Sequence, residues 1–198
     1  MKKIILALIM FFSIFAVSAE SVHKKNLALD FYGTYETILG DYVDIAKSGV
    51  GGGVRAEYTF LNLKAIDLGF SGGAEYTAIL PQKNCFLKSN NDLIVLCGFL
   101  IRYPIGNFSF VPQFDYGAMV HFAKDNQNTK NDKAYIDSLL RVEIGVRYRL
   151  PKIQNLEIEI TPVLSVCPEN ENKILTQFGV HFGTVWTFLN KHQISRGN

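Results

Sequence analysis

The chain has 198 residues, of which 48 % are hydrophobic, and its 20 lysines and arginines nearly balance 18 aspartates and glutamates. This length and apolar content predict one folded domain and exclude an intrinsically disordered chain. The balanced charge excludes the large basic surface of a nucleic-acid-binding protein, so we expect no nucleic-acid partner.

The N-terminus has the features of an export signal. Two lysines precede a mostly apolar stretch, Ile4–Val17, and small or compact residues stand at the positions that a signal peptidase reads in Val17-Ser18-Ala19. A membrane-anchoring helix is the alternative, but the stretch is short for a membrane span. We therefore predict a cleaved signal peptide over residues 1–19, and hence an exported protein.

After this segment, apolar and polar residues alternate with a period of two, which is typical of half-buried β-strands. No later stretch of about eighteen apolar residues predicts a transmembrane helix. The alternating segments are about ten residues long, enough for a tilted strand to cross a bilayer. In chain order, the eight predicted strands are Asn26–Thr37, Val50–Phe60, Ile66–Ala78, Leu93–Tyr103, Phe108–His121, Leu140–Leu150, Leu156–Cys167 and Ile174–Phe188.

Each predicted strand has an uncharged, mostly apolar face and a more polar face. In the third strand, Phe70 lies on the apolar face, and Ser71 and Glu75 lie on the polar face. The fourth strand is apolar on both faces as far as Arg102, and we assign the side that carries Val95 to lipid. A soluble β-sandwich would bury the apolar faces, whereas a membrane barrel would turn them to lipid, and the alternation by itself leaves both open.

The lengths of the connections favour the membrane barrel. Connections after even-numbered strands are short and those after odd-numbered strands are mostly long, as in outer-membrane barrels with short periplasmic turns and longer outer loops. Aromatic residues also collect at both ends of the apolar faces, as at two membrane interfaces. The short connections are Leu61–Ala65, Pro104–Asn107 and Pro151–Asn155, and the long ones are Ile38–Gly49, Ile79–Asp92, Phe122–Leu139 and Pro168–Lys173.

The last predicted strand ends in a short sequence that resembles the C-terminal β-signal of outer-membrane proteins. With the strand pattern, it makes the chain similar to the small eight-stranded outer-membrane proteins, the group that contains the OmpA membrane domain, OmpX and OmpW. The resemblance implies an all-β, eight-stranded antiparallel up-and-down transmembrane barrel over residues 20–189, with a short tail over residues 190–198. It also implies an outer-membrane location, with membrane lipids and the barrel-assembly machinery as partners. The residues that match the β-signal are His181, Gly183, Trp186 and Phe188.

The lumen of an eight-stranded barrel holds little more than its own side chains. A symmetric turn about Ile153 places Arg149 opposite Glu157 and Arg147 opposite Glu159, and both pairs face inward. We therefore predict a packed polar lumen, closed by charge pairs. Further inward charges are predicted at Arg55, Glu57, Asp115, Arg141 and Glu143.

The sequence predicts no catalytic, cofactor or metal site. His121 and His181 both face inward, but on non-adjacent strands and at different heights, so we do not expect them to share a metal ion. The lipid-facing positions lack the Ser, His and acid of a lipid A deacylase, whereas a palmitoyltransferase-like site in the outer loops stays open. Cys85 and Cys167 lie on the outer side, where they can form a disulfide in an oxidising compartment.

These features favour a non-enzymatic integral outer-membrane barrel whose loops contact external partners or whose body supports the membrane. The alternative is a narrow channel or transporter for a small or hydrophobic solute, as the resemblance to the OmpW-like group implies. A lipid A-modifying enzyme is the third interpretation.

Overall fold

The computed structural model describes residues 26–63, 65–83, 87–125, 133–153, 155–168 and 173–188. The predicted signal peptide, Cys85 and the C-terminal tail lie outside these residues. In the part of the chain that is described, no helix is long and apolar enough to cross a membrane.

Strands account for nearly all of the described chain. They are β1 (Asn26–Gly40), β2 (Ala46–Leu63), β3 (Ile66–Pro81), β4 (Leu87–Ile105), β5 (Phe108–Asp125), β6 (Lys133–Arg149), β7 (Leu156–Pro168) and β8 (Ile174–Phe188). Each strand pairs antiparallel with its neighbours in the chain, and β1 closes the barrel by pairing with β8. The predicted eight-stranded up-and-down barrel is therefore confirmed.

The barrel has two unlike ends. The start of β1 and the end of β8 lie at what we call the inner end, together with the connections at residues 64–65, 106–107 and 150–155. The outer end carries the connections at residues 41–45, 82–86, 126–132 and 169–173.

Side chains alternate between the interior of the barrel and its outer surface. In β1, Asp30 and Glu36 are buried, whereas Phe31 is 54 % exposed and Tyr35 is exposed to a similar degree. The charged faces therefore turn inward and the apolar faces turn outward, which is the predicted arrangement of a membrane barrel. The soluble β-sandwich alternative is wrong, because its polar faces would lie outside.

The strands extend further toward the outer end than the sequence predicts. Phe122–Leu139 is predicted as a connection, but β5 and β6 continue through much of it, with Ala123 opposite Lys133 in their register. The first two predicted long connections are shortened in the same way. A polar composition does not end a strand whose backbone N–H and C=O groups are satisfied by the adjacent strand.

Candidate functional site: the interior of the barrel

The interior consists of two layers with different chemistry. One, which we call the ionic layer, occupies the inner and middle parts of the barrel, where buried apolar residues such as Val111 and Val185 lie among the charged ones. The other, which we call the apolar layer, lies toward the outer end. The ionic layer contains Asp30, Glu36, Arg55, Glu57, Glu75, Arg102, Arg141, Glu143, Arg147, Glu157 and Glu159. The apolar layer contains Ile38, Ala46, Ile79, Ile94, Leu96, Met119, Leu139, Cys167 and Leu175.

Arg55 of β2 is the central residue of the ionic layer. Its guanidinium lies 2.7 Å from Asp30 on the adjacent strand, and it reaches across the barrel to Glu143 at 2.5 Å and Glu159 at 3.3 Å. It also lies over the ring of Tyr32, 5.4 Å from the centroid. Because its partners are on β1, β6 and β7, this one side chain connects opposite walls of the barrel.

Arg147 of β6 forms a second contact across the lumen. It donates two hydrogen bonds, of 2.7 and 2.5 Å, to the carboxylate of Glu57, and another to Glu159, which lies opposite it in β7. Arg149 lies opposite Glu157 and donates to it at 3.0 Å, but its side chain is 47 % exposed at the inner end. In the strand register, the two residues of each predicted pair thus lie opposite each other. Arg147 also has a further partner, Glu57, which the geometry of the turn does not predict.

Arg141 of β6 is the arginine of the ionic layer that lies next to the apolar layer, two residues from Leu139. It donates to Glu75 at 2.8 Å and lies 3.5 Å from Glu36. The hydroxyl of Tyr32 donates to the same Glu75 carboxylate at 3.1 Å, and its ring stacks on His181 with centroids 4.4 Å apart. The carboxylate of Glu75 therefore connects its own strand, β3, to β1 through Tyr32 and to β6 through Arg141, near the middle of the barrel.

Two strand glycines make room for the ring of Tyr32. Gly53 and Gly183 lie opposite Tyr32 on its two neighbouring strands. A Cβ atom would lie 2.6 Å from ring atoms of Tyr32 if built on Gly53, and 2.9 Å from its Cβ if built on Gly183. These distances are too short for any side chain, so both positions need glycine for this packing.

Asp115, another predicted inward charge, is held by neutral donors. The hydroxyl of Ser71 donates to it at 2.8 Å and the amide of Gln113 at 2.7 Å. A small pocket beside it, with room for about one water molecule, is lined in part by Tyr32 and Arg55.

The apolar layer is absent from the sequence-based prediction, which expects a polar lumen throughout. Ile94, Met119 and Leu139 are fully buried on β4, β5 and β6, and Tyr42 of the first outer connection packs against the layer. Its clearest signal in the sequence is the inward face of β4, where Ile94 and Leu96 replace the usual polar residues. The prediction of a polar lumen is therefore correct for the ionic layer and wrong for the outer part.

The residues that resemble a β-signal are divided between the two faces of β8. His181 is buried in the ionic layer and Gly183 packs against Tyr32, whereas Trp186 and Phe188 lie on the outer surface near the inner end. Their recognition by the barrel-assembly machinery stays a prediction.

Two groups of described residues bring metal-ligating atoms close together. One consists of Glu36, Glu75 and His181, and the other of His121, Asp137 and Cys167. The two inward histidines thus lie in separate groups. The sequence does not indicate the second group, because Asp137 falls within the predicted connection Phe122–Leu139.

No protein-family model and no curated protein matches the chain. Among solved structures, it is similar to the neisserial surface protein A, NspA, at 10 % identity and a TM-score of 0.58 over 82 % of this chain and 97 % of NspA. It is also similar to Ail, the attachment invasion locus protein of Yersinia pestis, at 9 % identity and a TM-score of 0.56 over 83 % and 99 % of the two chains. A third similar structure is the outer membrane protein OprG of Pseudomonas aeruginosa, at 11 % identity and a TM-score of 0.50 over 85 % and 98 %. The chain therefore has the fold of the small eight-stranded outer-membrane barrels.

Proposed function

We propose that this protein is a non-enzymatic integral barrel of the outer membrane, whose sealed body supports the membrane and whose outer hairpins contact partners outside the cell. The observation that carries this proposal is the filled interior. Arg55 and Arg147 span the ionic layer to Glu143 and Glu57, and the apolar layer covers them toward the outer end. Side chains therefore occupy the space that a channel would need for water.

The outer surface supports the membrane location. Apolar side chains project from every strand, and aromatic rings pack against one another toward the inner end. The rings of Phe108 and Tyr148 lie 4.9 Å apart, and those of Tyr103 and Phe110 lie 6.5 Å apart. Such pairs suit the boundary between lipid and water, because aromatic residues form girdles at both interfaces of membrane barrels.

The outer hairpins are the parts that can meet an external partner. β5 and β6 continue toward the outer end beyond the predicted strands, and their paired residues extend past Met119 and Leu139 of the apolar layer. Ail, which shares the fold, is an attachment invasion locus protein and was crystallised with a heparin analogue. The fold thus accommodates a surface role, and we extend that role to this chain as part of the proposal.

The orientation is tested by placing the same epitope tag in residues 126–132 or in residues 150–155 and probing intact cells with antibody. We expect the first tag to be labelled on intact cells and the second only after the outer membrane is opened. The reverse result would overturn the proposed orientation.

The sealed body is tested by conductance in planar bilayers. We expect the unmutated protein to pass little or no current. A large and stable conductance that does not depend on Arg147 would instead support the alternative, a narrow channel or transporter for a small solute.

A further inference from the structure

Four side chains with metal-ligating atoms lie in the outer part of the barrel, and we call them the outer cluster: Asp92, His121, Asp137 and Cys167, the last of which also belongs to the apolar layer. They come from β4, β5, β6 and β7, four successive strands of the barrel. One ligand atom each of His121, Asp137 and Cys167 lies within 4.8 Å of the other two. Three different donor types therefore converge on one point from three strands.

The histidine of the outer cluster is already oriented for metal binding. Its Nδ1 lies 2.8 Å from Oδ1 of Asp92, which is almost fully buried on β4. Its Nε2 lies on the side of Asp137, 3.7 Å from Oδ2. A carboxylate that accepts a hydrogen bond from one ring nitrogen sets the tautomer in which the other nitrogen can bind a metal, and this arrangement is common behind zinc-bound histidines.

The surroundings suit a site that is loaded from outside. Cys167 is fully buried among Met119 and Leu139 of the apolar layer, whereas the side chain of Asp137 is 21 % exposed. The partial exposure of Asp137 leaves the cluster accessible from the outer end. A cation can therefore approach without passing through the barrel.

The other group, Glu36, Glu75 and His181, is a weaker candidate despite its complete burial. Arg141 lies 2.8 Å from Glu75 and 3.5 Å from Glu36, so a guanidinium already compensates these carboxylates. A divalent cation at that position would meet this fixed positive charge.

We propose that the outer cluster binds Zn²⁺ through Nε2 of His121, a carboxylate oxygen of Asp137 and the thiolate sulfur of Cys167. Zinc accepts nitrogen, oxygen and sulfur donors in tetrahedral sites, and three protein ligands leave a fourth position for water. The thiolate disfavours Ca²⁺ and Mg²⁺, which prefer oxygen ligands. Binding releases the thiol proton of Cys167 to solvent, and Asp92 acts as a positioning residue for His121.

The test uses the full mature barrel, folded in detergent, reduced and stripped of metal with a chelator. Co²⁺ is the probe, because a thiolate ligand gives it a charge-transfer absorption band and tetrahedral coordination gives it intense visible bands. We expect one Co²⁺ per chain with both signatures, displaced by an equimolar amount of Zn²⁺. Absence of the thiolate band in the folded, reduced protein would overturn the proposal.

Matched variants identify the ligands. Cys167→Ser is expected to abolish the thiolate band, whereas Cys97→Ser, on the lipid-facing side of β4, and Cys85→Ser are expected to keep it. His121→Gln and Asp137→Asn should each weaken Co²⁺ binding, with folding checked by the electrophoretic shift of the unheated barrel. Persistence of the band in Cys167→Ser, or its loss in either control, would overturn the ligand assignment.

A further variant tests the positioning role and does not remove a ligand. Asp92→Asn is expected to keep the cobalt spectrum but to weaken binding about 10–100-fold, the usual effect of losing a residue that orients a metal-bound histidine. Unchanged affinity would show that Asp92 does not orient His121 for the metal.

Discussion

The two layers of the barrel interior are filled by different physical means. In the ionic layer, Arg55 and Arg147 each contact several carboxylates, and these contacts depend on charge and direction. In the apolar layer, residues such as Met119 and Leu139 fill space by packing alone. The first layer is therefore sensitive to the loss of one charged partner, and the second is sensitive to the loss of volume.

The layers also differ in how far each contact reaches. The long guanidinium side chains connect opposite walls, as Arg147 on β6 does with Glu57 on β2. A shorter apolar side chain needs neighbours from several strands to close the same gap, and the residues of the apolar layer come from all eight strands. Charge can thus fill the lumen only where an opposite charge stands across it, and hydrocarbon fills the remainder.

The largest expected effect comes from reversing a charge in the ionic layer. Arg147→Glu would place a third carboxylate beside Glu57 and Glu159, and breaking a buried ion pair costs about 3–5 kcal/mol. We expect a loss of at least this size in the free energy of unfolding, measured by reversible denaturation in lipid vesicles, together with increased leak in planar bilayers.

The matched control for that variant is Arg149→Glu, at the exposed end of the same strand. Because Arg149 is half exposed, its pair with Glu157 should contribute no more than about 1 kcal/mol. If the two variants lost the same amount of unfolding free energy, the distinction between buried and exposed ion pairs would be contradicted.

Removing volume from the apolar layer should have the next largest effect. Leu139→Ala leaves a cavity among fully buried side chains, and such truncations cost about 2–5 kcal/mol. The neighbouring Leu140→Ala acts on the lipid-facing side and should cost clearly less. Denaturation of both variants in the same vesicles measures the difference, and a larger loss for Leu140→Ala would show that the layer is not tightly packed.

The assignment of inside and outside can be tested on one strand. Phe70→Arg places a charge on the lipid-facing surface, where an arginine costs roughly 2–4 kcal/mol near the middle of the membrane. Ser71→Arg places the same charge beside Asp115 in the lumen, where it gains a carboxylate partner. The free energy of unfolding should fall more for Phe70→Arg. The opposite order would show that Phe70 does not face lipid and Ser71 does not face the lumen.

The smallest expected effect comes from one hydrogen bond at the centre of the ionic layer. Tyr32→Phe keeps the stacking on His181 but removes the hydroxyl that donates to Glu75, which still holds Arg141. Because the acceptor is a carboxylate, a net loss of about 1.5–3 kcal/mol is expected in the same unfolding measurement. Tyr35→Phe, on the lipid-facing side of β1, is the control and should change stability little.

The features that depend on local periodicity can be predicted from the sequence. The period of two identifies eight strands and the face of each, because successive side chains of a strand point to opposite sides. The short turn between β6 and β7 likewise predicts that Arg147 stands opposite Glu159, since a hairpin register follows from its turn. These are relations between residues close together in the chain.

The contacts between distant side chains in the lumen could not be predicted from the sequence, because they depend on how the whole barrel closes. The contact of Arg55 with Glu143 joins β2 to β6, and it depends on how the strands are staggered when the barrel closes. The apolar layer likewise forms only when inward residues of many strands reach the same height. The outer cluster could not be predicted for a further reason. It depends on Asp137 lying within β6, and pairing with β5 extends β6 through residues whose polar composition indicates a loop.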